Sequence, residues 1–253
     1  GEHMQQLKNA PVSELVFGLT LKEKIPDSEI IQIVNYFLEA YPLFEIAPPI
    51  ANEWMNGFQV VPEFDISTSG QVLYRLRSSD RRFLVQLQNN KIFFNWIRDD
   101  LEPVGNYPGF SKLYGIFSSV LRNAEEISGM AFRDITKYYE VTYHDRLFWQ
   151  EIIGTISNID QIMNVNLPSI PLIEGLNNIF SNFTYHNPRI GGYGSIAINT
   201  STAIDGKQLL RFESMIRGYV NEISMDEWFK LGHDFQNGIF ESSFKQSILE
   251  RWR

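Results

Sequence analysis

Residues 71–98 read QVLYRLRSSDRRFLVQLQNNKIFFNWIR, and the alternation inside this stretch decides the fold class. Val72–Arg77 and Arg82–Gln88 flank a polar turn at Ser78–Arg81, and Asn89-Asn90, which tolerates positive φ, leads into Lys91–Ile97. Three period-two segments on two short turns make an antiparallel meander. If Arg77 pairs with Arg82, then Leu76 faces Phe83, Tyr74 faces Val85 and Val72 faces Leu87. If Gln88 pairs with Lys91, then Leu87 faces Ile92, Val85 faces Phe94 and Phe83 faces Trp96. Both registers gather the same apolar set on one face, and a one-residue slip would scatter it. The outward rows are then Leu73–Gln86–Phe93, Arg75–Leu84–Asn95 and Arg77–Arg82–Ile97.

Working outward, Pro11–Leu21 alternates as a strand, with Leu15, Phe17, Leu19 and Leu21 on one face. Ile30, Ile31, Val34, Phe37, Leu38 and Tyr41 mark a helix that Pro42 ends. Ala47-Pro48-Pro49 reads as a loop, and Pro62 demotes Phe58–Phe64 to an edge strand. A second helix spans 108–122, with Asn106 as its cap, Pro108 in its first turn and Phe110, Leu113, Tyr114, Phe117, Val120 and Leu121 inward. Beyond Gly129, Phe132–Arg146 reads as a long strand and 147–178 is ambiguous. Strands follow near 179–186, 193–201 and 208–219, the last two joined at Asp205-Gly206. Ser224-x-x-Glu227 is a capping box opening a final helix with Trp228, Leu231, Phe235, Ile239, Phe240, Phe244, Ile248 and Trp252. The expectation is an α+β protein of antiparallel sheets with packed helices. Its two similar halves, 4–128 and 129–253, form one unit, and Gly1-Glu2-His3 is set aside as a cloning remnant.

Composition narrows the function. The chain has 253 residues, no Cys, 35 Phe, Tyr and Trp together, and a formal charge of −8. Disulfide scaffolds, cysteine zinc ribbons and thiol enzymes are excluded. An acidic chain lacks the field of a general nucleic-acid binder. No apolar run approaches the roughly 20 residues of a membrane span, and no signal peptide is read, so a cytoplasmic location is expected.

Asn9-Ala10-Pro11-Val12-Ser13-Glu14 at the start, Gln86 to Trp96 in the meander, Tyr107-Pro108-x-Phe110 at the middle helix and His233-Asp234 before Phe240 carry a resemblance. Together they resemble one sporadically distributed family of uncharacterised prokaryotic proteins, from which Tyr143-His144-Asp145 departs. The resemblance implies a scattered, mobile gene of the kind found in defence or toxin–antitoxin loci. It carries over no catalytic residue.

Catalytic patterns are weak. His144, His186 and His233 show neither HxxxH nor HExxH spacing, and His233-Asp234 reads as a partly buried polar pair. No G-x-S-x-G elbow is present. Gly191-Gly192-Tyr193-Gly194 precedes a strand rather than the helix N-terminus that a phosphate loop needs, so it reads as a bulge or hairpin. Asp99-Asp100 and Glu125-Glu126 are adjacent acids that point apart. No catalytic group, metal or cofactor is assigned, and a hydrolase or nuclease would need groups assembled from distant segments.

The meander's outward face is different. Residues 71–98 carry five Arg and one Lys against one Asp, a local charge of +5 in an acidic chain. Arginine beside exposed apolar side chains is the composition of interface cores. The main expectation is therefore a non-enzymatic protein-interaction module, antitoxin-like or accessory to a defence locus. It would dock a protein partner or a second copy through Arg75, Arg77, Arg82, Leu84, Phe93 and Ile97, and neither nucleic acid nor membrane. The competing reading covers this face with the chain's own second half, Asp99, Asp100 or Glu102 neutralising the arginines. A second function class is a small-molecule or lipid carrier with a pocket lined by Trp96, Tyr139, Phe212 and Phe235.

Overall fold

The computed structural model describes residues 10–56, 59–63, 71–98, 106–167 and 175–253. It is an α+β fold built on a nine-stranded antiparallel sheet. The first half supplies β1 (Val12–Leu21), α1 (Asp27–Phe37), β2 (Leu43–Ala47), a separate hairpin of β3 (Asn52–Asn56) and β4 (Gln59–Glu63), β5 (Leu73–Arg77), β6 (Phe83–Gln88), β7 (Lys91–Ile97) and α2 (Phe110–Ser128). The second supplies β8 (Thr136–Phe148), α3 (Trp149–Ile153), β9 (Phe180–Asn187), β10 (Gly192–Thr202), β11 (Gln208–Tyr219), α4 (Met225–Ser243) and α5 (Gln246–Trp252). Strand order is β2-β5-β6-β7-β1-β8-β11-β10-β9, so each half contributes one flank and β1 meets β8 at the middle.

The β6–β7 register is the expected one, Gln88 opposite Lys91 and Phe83 opposite Trp96. The β5–β6 register differs by two residues: Arg77 faces Leu84, Leu76 faces Val85 and Tyr74 faces Leu87. A two-residue offset preserves the faces while changing every row. Its cause lies in the turn. Ser78 N–H bonds Phe83 O at 2.9 Å, closing the hairpin one position later on each side, and Arg81 takes a left-handed φ of 64°. The Asp80 carboxylate holds this turn by accepting from Ser78 Oγ at 2.6 Å and Arg82 N at 3.1 Å.

The helices cover one face. Phe17 on β1 sits at its centre, its ring 5.3 Å from Phe117, 5.5 Å from Phe110 and 5.8 Å from Phe229. Aromatic pairs at such separations add to the burial of their area. In α1 the buried stripe is Ile30, Ile33, Val34 and Phe37, and Ile31 is exposed, so the spacing is i, i+3, i+4, i+7. α2 starts at Phe110 with Gly109 as N-cap and without a capping side chain, then ends on left-handed Gly129. Residues 132–135 form a 3-10 turn ahead of β8. Ser224 Oγ accepts from Glu227 N as the capping box requires, but the final helix breaks at Phe244 into α4 and α5. Leu43–Ala47, between Pro42 and Pro48, is a strand that the alternation did not indicate, and it takes in Ala47, the first residue of the expected loop.

The other face is polar. Glu45, Arg75, Gln86, Asn95 and Glu14 bond in series across five strands, from the Arg75–Glu45 ion pair at 2.8 Å to Asn95–Glu14 at 2.7 Å. Toward the β3–β4 hairpin, the Arg217 guanidinium bonds Glu53 at 2.7 Å, Tyr193 Oη at 2.8 Å and Glu140 at 3.0 Å. Lys91, 1% exposed, donates to Thr20 Oγ1 and Tyr138 Oη. Burial, partly offset by Glu140, lowers its pKa to about 8. Both cations are therefore absorbed by the fold. Among the described residues no helix is long and apolar enough to cross a membrane.

Candidate functional site

The face proposed for docking divides in two. Leu84 and Phe93 are 2% and 5% exposed and cannot form an exposed docking surface. Beyond β7 the sheet continues into β1 and β8, so positions that would be open in an isolated meander lie in its interior. The Phe93 ring fills the space over Gly18, where a Cβ would come within 2.2 Å of it. Arg75 is neutralised by Glu45 of β2. Arg77 lies opposite Leu84 rather than Arg82, so the two arginines do not form a cross-strand pair. Asp99, Asp100 and Glu102 lie outside the described residues.

Arg77, Arg82 and Ile97 remain together, at the end of the sheet away from the β3–β4 hairpin. There, the end of β5, the β5–β6 turn, the end of β7, the end of β8 and the start of β11 converge. They line a cleft of about 490 Å³ with Arg77, Arg81, Arg82, Arg98, Arg146 and Arg211. The first four of these arginines belong to the meander stretch, and Arg146 and Arg211 to the other half of the chain. Their meeting follows from the β1–β8 seam, which puts Glu14 opposite both Ile97 and His144. Glu14, Asp80, Asp145 and Glu213 share the lining, so the arginines outnumber the acids by two. Asp80 is held below its ordinary pKa, first by the Ser78 hydrogen bond and then by the Arg82 amide, so it stays an anion and fixes the turn. Arg211 Nε donates to Ser201 Oγ at 3.1 Å, and His144 Nδ1 is 3.5 Å from Glu213. Arg77 and Arg81 make no side-chain hydrogen bond or ion pair among the described residues. Planar guanidinium groups at several angles around one cleft suit the bidentate holding of carboxylate or phosphate oxygens.

The residues expected to line a ligand pocket do not share one. Trp96 packs at a tilt against Tyr107, Tyr139 against Trp228 and Phe229, and Phe212 edge-on against Phe240 and Phe244, all as core packing. Phe235 lines a separate groove between α4 and β9–β10. Another cavity, under the start of α2 and the middle of α4, collects none of the four residues expected to line a pocket. Gly192 and Gly194 are strand residues behind a tight turn at Pro188–Gly191, as the missing helix implied. Among the described residues no three of His, Asp or Glu come together as metal ligands would. Compared with known proteins, the chain matches no protein-family model and no curated protein.

Proposed function

We propose that the protein is a non-enzymatic binding module that takes an acidic segment of a partner protein into its arginine-lined cleft. The observation that carries this reading is the convergence of six arginines, drawn from both halves, on one cleft of a chain whose net charge is −8. Concentrating like charge costs free energy that an anionic ligand repays. Interspersed Glu14, Asp80 and Glu213 favour spaced carboxylates over a continuous phosphate backbone, which would meet them at close range. The chain's overall negative charge supports the same choice.

The test is Arg77→Glu combined with Arg82→Glu, both side chains being only partly buried. Circular dichroism and the thermal midpoint should match wild type. Binding of a glutamate-rich peptide by calorimetry, and recovery of the partner from the native host, should fall at least tenfold, about 1.4 kcal/mol. Undiminished peptide binding by the folded double variant overturns the assignment.

A further inference from the structure

The cavity between the start of α2, the middle of α4 and the helix-side surface of β1 and β8 measures about 430 Å³. That volume is within the range that holds small molecules. Tyr107, Phe110 and Phe240 give it aromatic walls, and Val12, Asp145 and Gln236 line its floor. Two buried acceptors there lack donors. Gln236, 2% exposed, donates both amide hydrogens, to Val141 O at 3.0 Å and Ser214 O at 2.9 Å. Those two carbonyls fix the amide's orientation, and its Oε1 is sealed from solvent with no hydrogen-bond partner. Asp145, 3% exposed, occupies an inward position of β8 opposite Val12 and Phe212. Its Oδ1 is likewise sealed and unpartnered, and Arg98 acts on the carboxyl through its field. Buried acceptors are costly without donors, and native interiors supply them.

Lys112 and Ser111 lie at the exposed mouth, and the polar groups deeper in the cavity bond to one another. Tyr143 Oη is 2.8 Å from Tyr107 Oη and 3.2 Å from His233 Nδ1, and His233 Nε2 is 3.3 Å from the Asn237 amide. The His233 ring stacks on Phe110 at 3.9 Å. With the Asn237 amide donating, the chain runs Asn237 to His233 to Tyr143 to Tyr107. None of these groups turns a donor to Asp145 or Gln236.

We infer that this cavity binds a small planar cation of the amidinium class, whose paired N–H donors meet the Asp145 carboxylate and the Gln236 carbonyl while its ring lies among Tyr107, Phe110 and Phe240. An amidinium offers two parallel N–H groups in the plane of a carboxylate, and its delocalised charge tolerates an aromatic enclosure. Asp145 stands between this cavity and the arginine cleft and lines both, but the two differ in preference: one selects anions, the other a cation.

Benzamidine is the test ligand and benzoate the control, titrated calorimetrically into the intact chain. Benzamidine should bind one per chain and benzoate should leave this cavity empty. Asp145→Asn, which keeps the shape and removes the charge, should weaken benzamidine at least tenfold. Ser111→Trp, at the exposed mouth on the first turn of α2, should block entry without touching the core. Arg77→Glu with Arg82→Glu should leave benzamidine binding unchanged, so failure of the cleft assignment is distinguishable from failure of this one. Absence of saturable benzamidine binding to the folded protein overturns the inference. So does equal binding of benzoate that persists in the Arg77→Glu, Arg82→Glu variant, or benzamidine binding that survives both Asp145→Asn and Ser111→Trp.

Discussion

Asp145 and His233 sit in one cavity and titrate in opposite senses. Burial raises Asp145 from 3.8 to about 7, with Arg98 pulling the other way. The folded state therefore keeps a proton that the unfolded chain loses, and the stability this group contributes is complete below pH 3.8 and lost as pH rises through 7. Burial lowers His233 from 6.5 to about 4, Asp234 opposing. Its contribution is complete above pH 6.5 and lost as pH falls through 4. The groups facing Asp145 are Arg98, Tyr107 and Tyr143, and those facing His233 are Tyr143, Asn237 and Asp234, so neither titration has a strong ion pair to suppress it. At about 1.4 kcal/mol per unit, the two shifts are worth about 4 and about 3 kcal/mol and nearly cancel between pH 4 and 6.5. Single variants should expose what the pair hides. Relative to wild type, Asp145→Asn should lose stability on acidification from pH 6.5 to 4, and His233→Gln should lose it as pH rises from 4 to 7. Urea denaturation at a series of pH values checks this, and parallel curves for both variants and wild type would refute it. In sequence, His233-Asp234 was legible as a polar pair beside an apolar stripe, but Asp234 is exposed and the partners of His233 lie on β8 and α4. Asp145 did carry a signal. It occupies an inward period-two slot in a strand whose other inward residues are Tyr139, Val141, Tyr143 and Leu147.

At the scale of single elements, alternation and turn chemistry carried most of the fold. They located β1, β6, β7, β10, β11 and the Ser224 cap, because each rests on a local cause. They misplaced the β5–β6 row because Asp80 closes the turn with its side chain and draws Arg81 into a left-handed conformation, a choice that Ser-Ser-Asp-Arg-Arg does not advertise. They missed β2 because a short strand with both faces exposed has no apolar rhythm to betray it. Glycines test the same elements from the other side. Gly218 pairs with Gly192 where β11 crosses the β9–β10 turn, and a Cβ there would lie 2.0 Å from Ile190 O and 2.7 Å from Trp228 Nε1. The Trp228 indole donates to that same carbonyl at 2.8 Å. Gly218→Ala should therefore force strand and helix apart and cost on the order of 3 kcal/mol. A Cβ added at Gly115, within α2, would meet nothing within 4 Å, and Gly115→Ala should gain about 0.5–1 kcal/mol. Denaturant midpoints of the two variants should move in opposite directions.

At the scale of the whole molecule, the sheet is long because two local meanders share one non-local seam, β1 against β8. No short-range pattern announces that pairing, and it is what buries Phe93 and assembles the arginine cleft from both halves. The same extension leaves β2 and β9 at the ends of the nine-stranded order, with the outer backbone edge of each unpaired among the described residues. Neither edge strand carries a lysine, and Glu45 on β2 is paired with Arg75 of its neighbour. Ile46 on β2 and Phe180 on β9 are 59% and 82% exposed. Phe44, Phe183 and Tyr185 on the same two strands are also exposed. Open, apolar edges template pairing with another chain, and lysine is the common natural guard against it. The protein should therefore form larger species as its concentration rises, whatever its cleft and cavity hold. Ile46→Lys combined with Phe180→Lys should suppress that growth with little change in unfolding free energy, since both side chains face water. Sedimentation velocity over a concentration series reads the difference. If the double variant grows as wild type does, association runs through some other surface, and the arginine cleft, tested by Arg77→Glu with Arg82→Glu in the same series, is the next to examine.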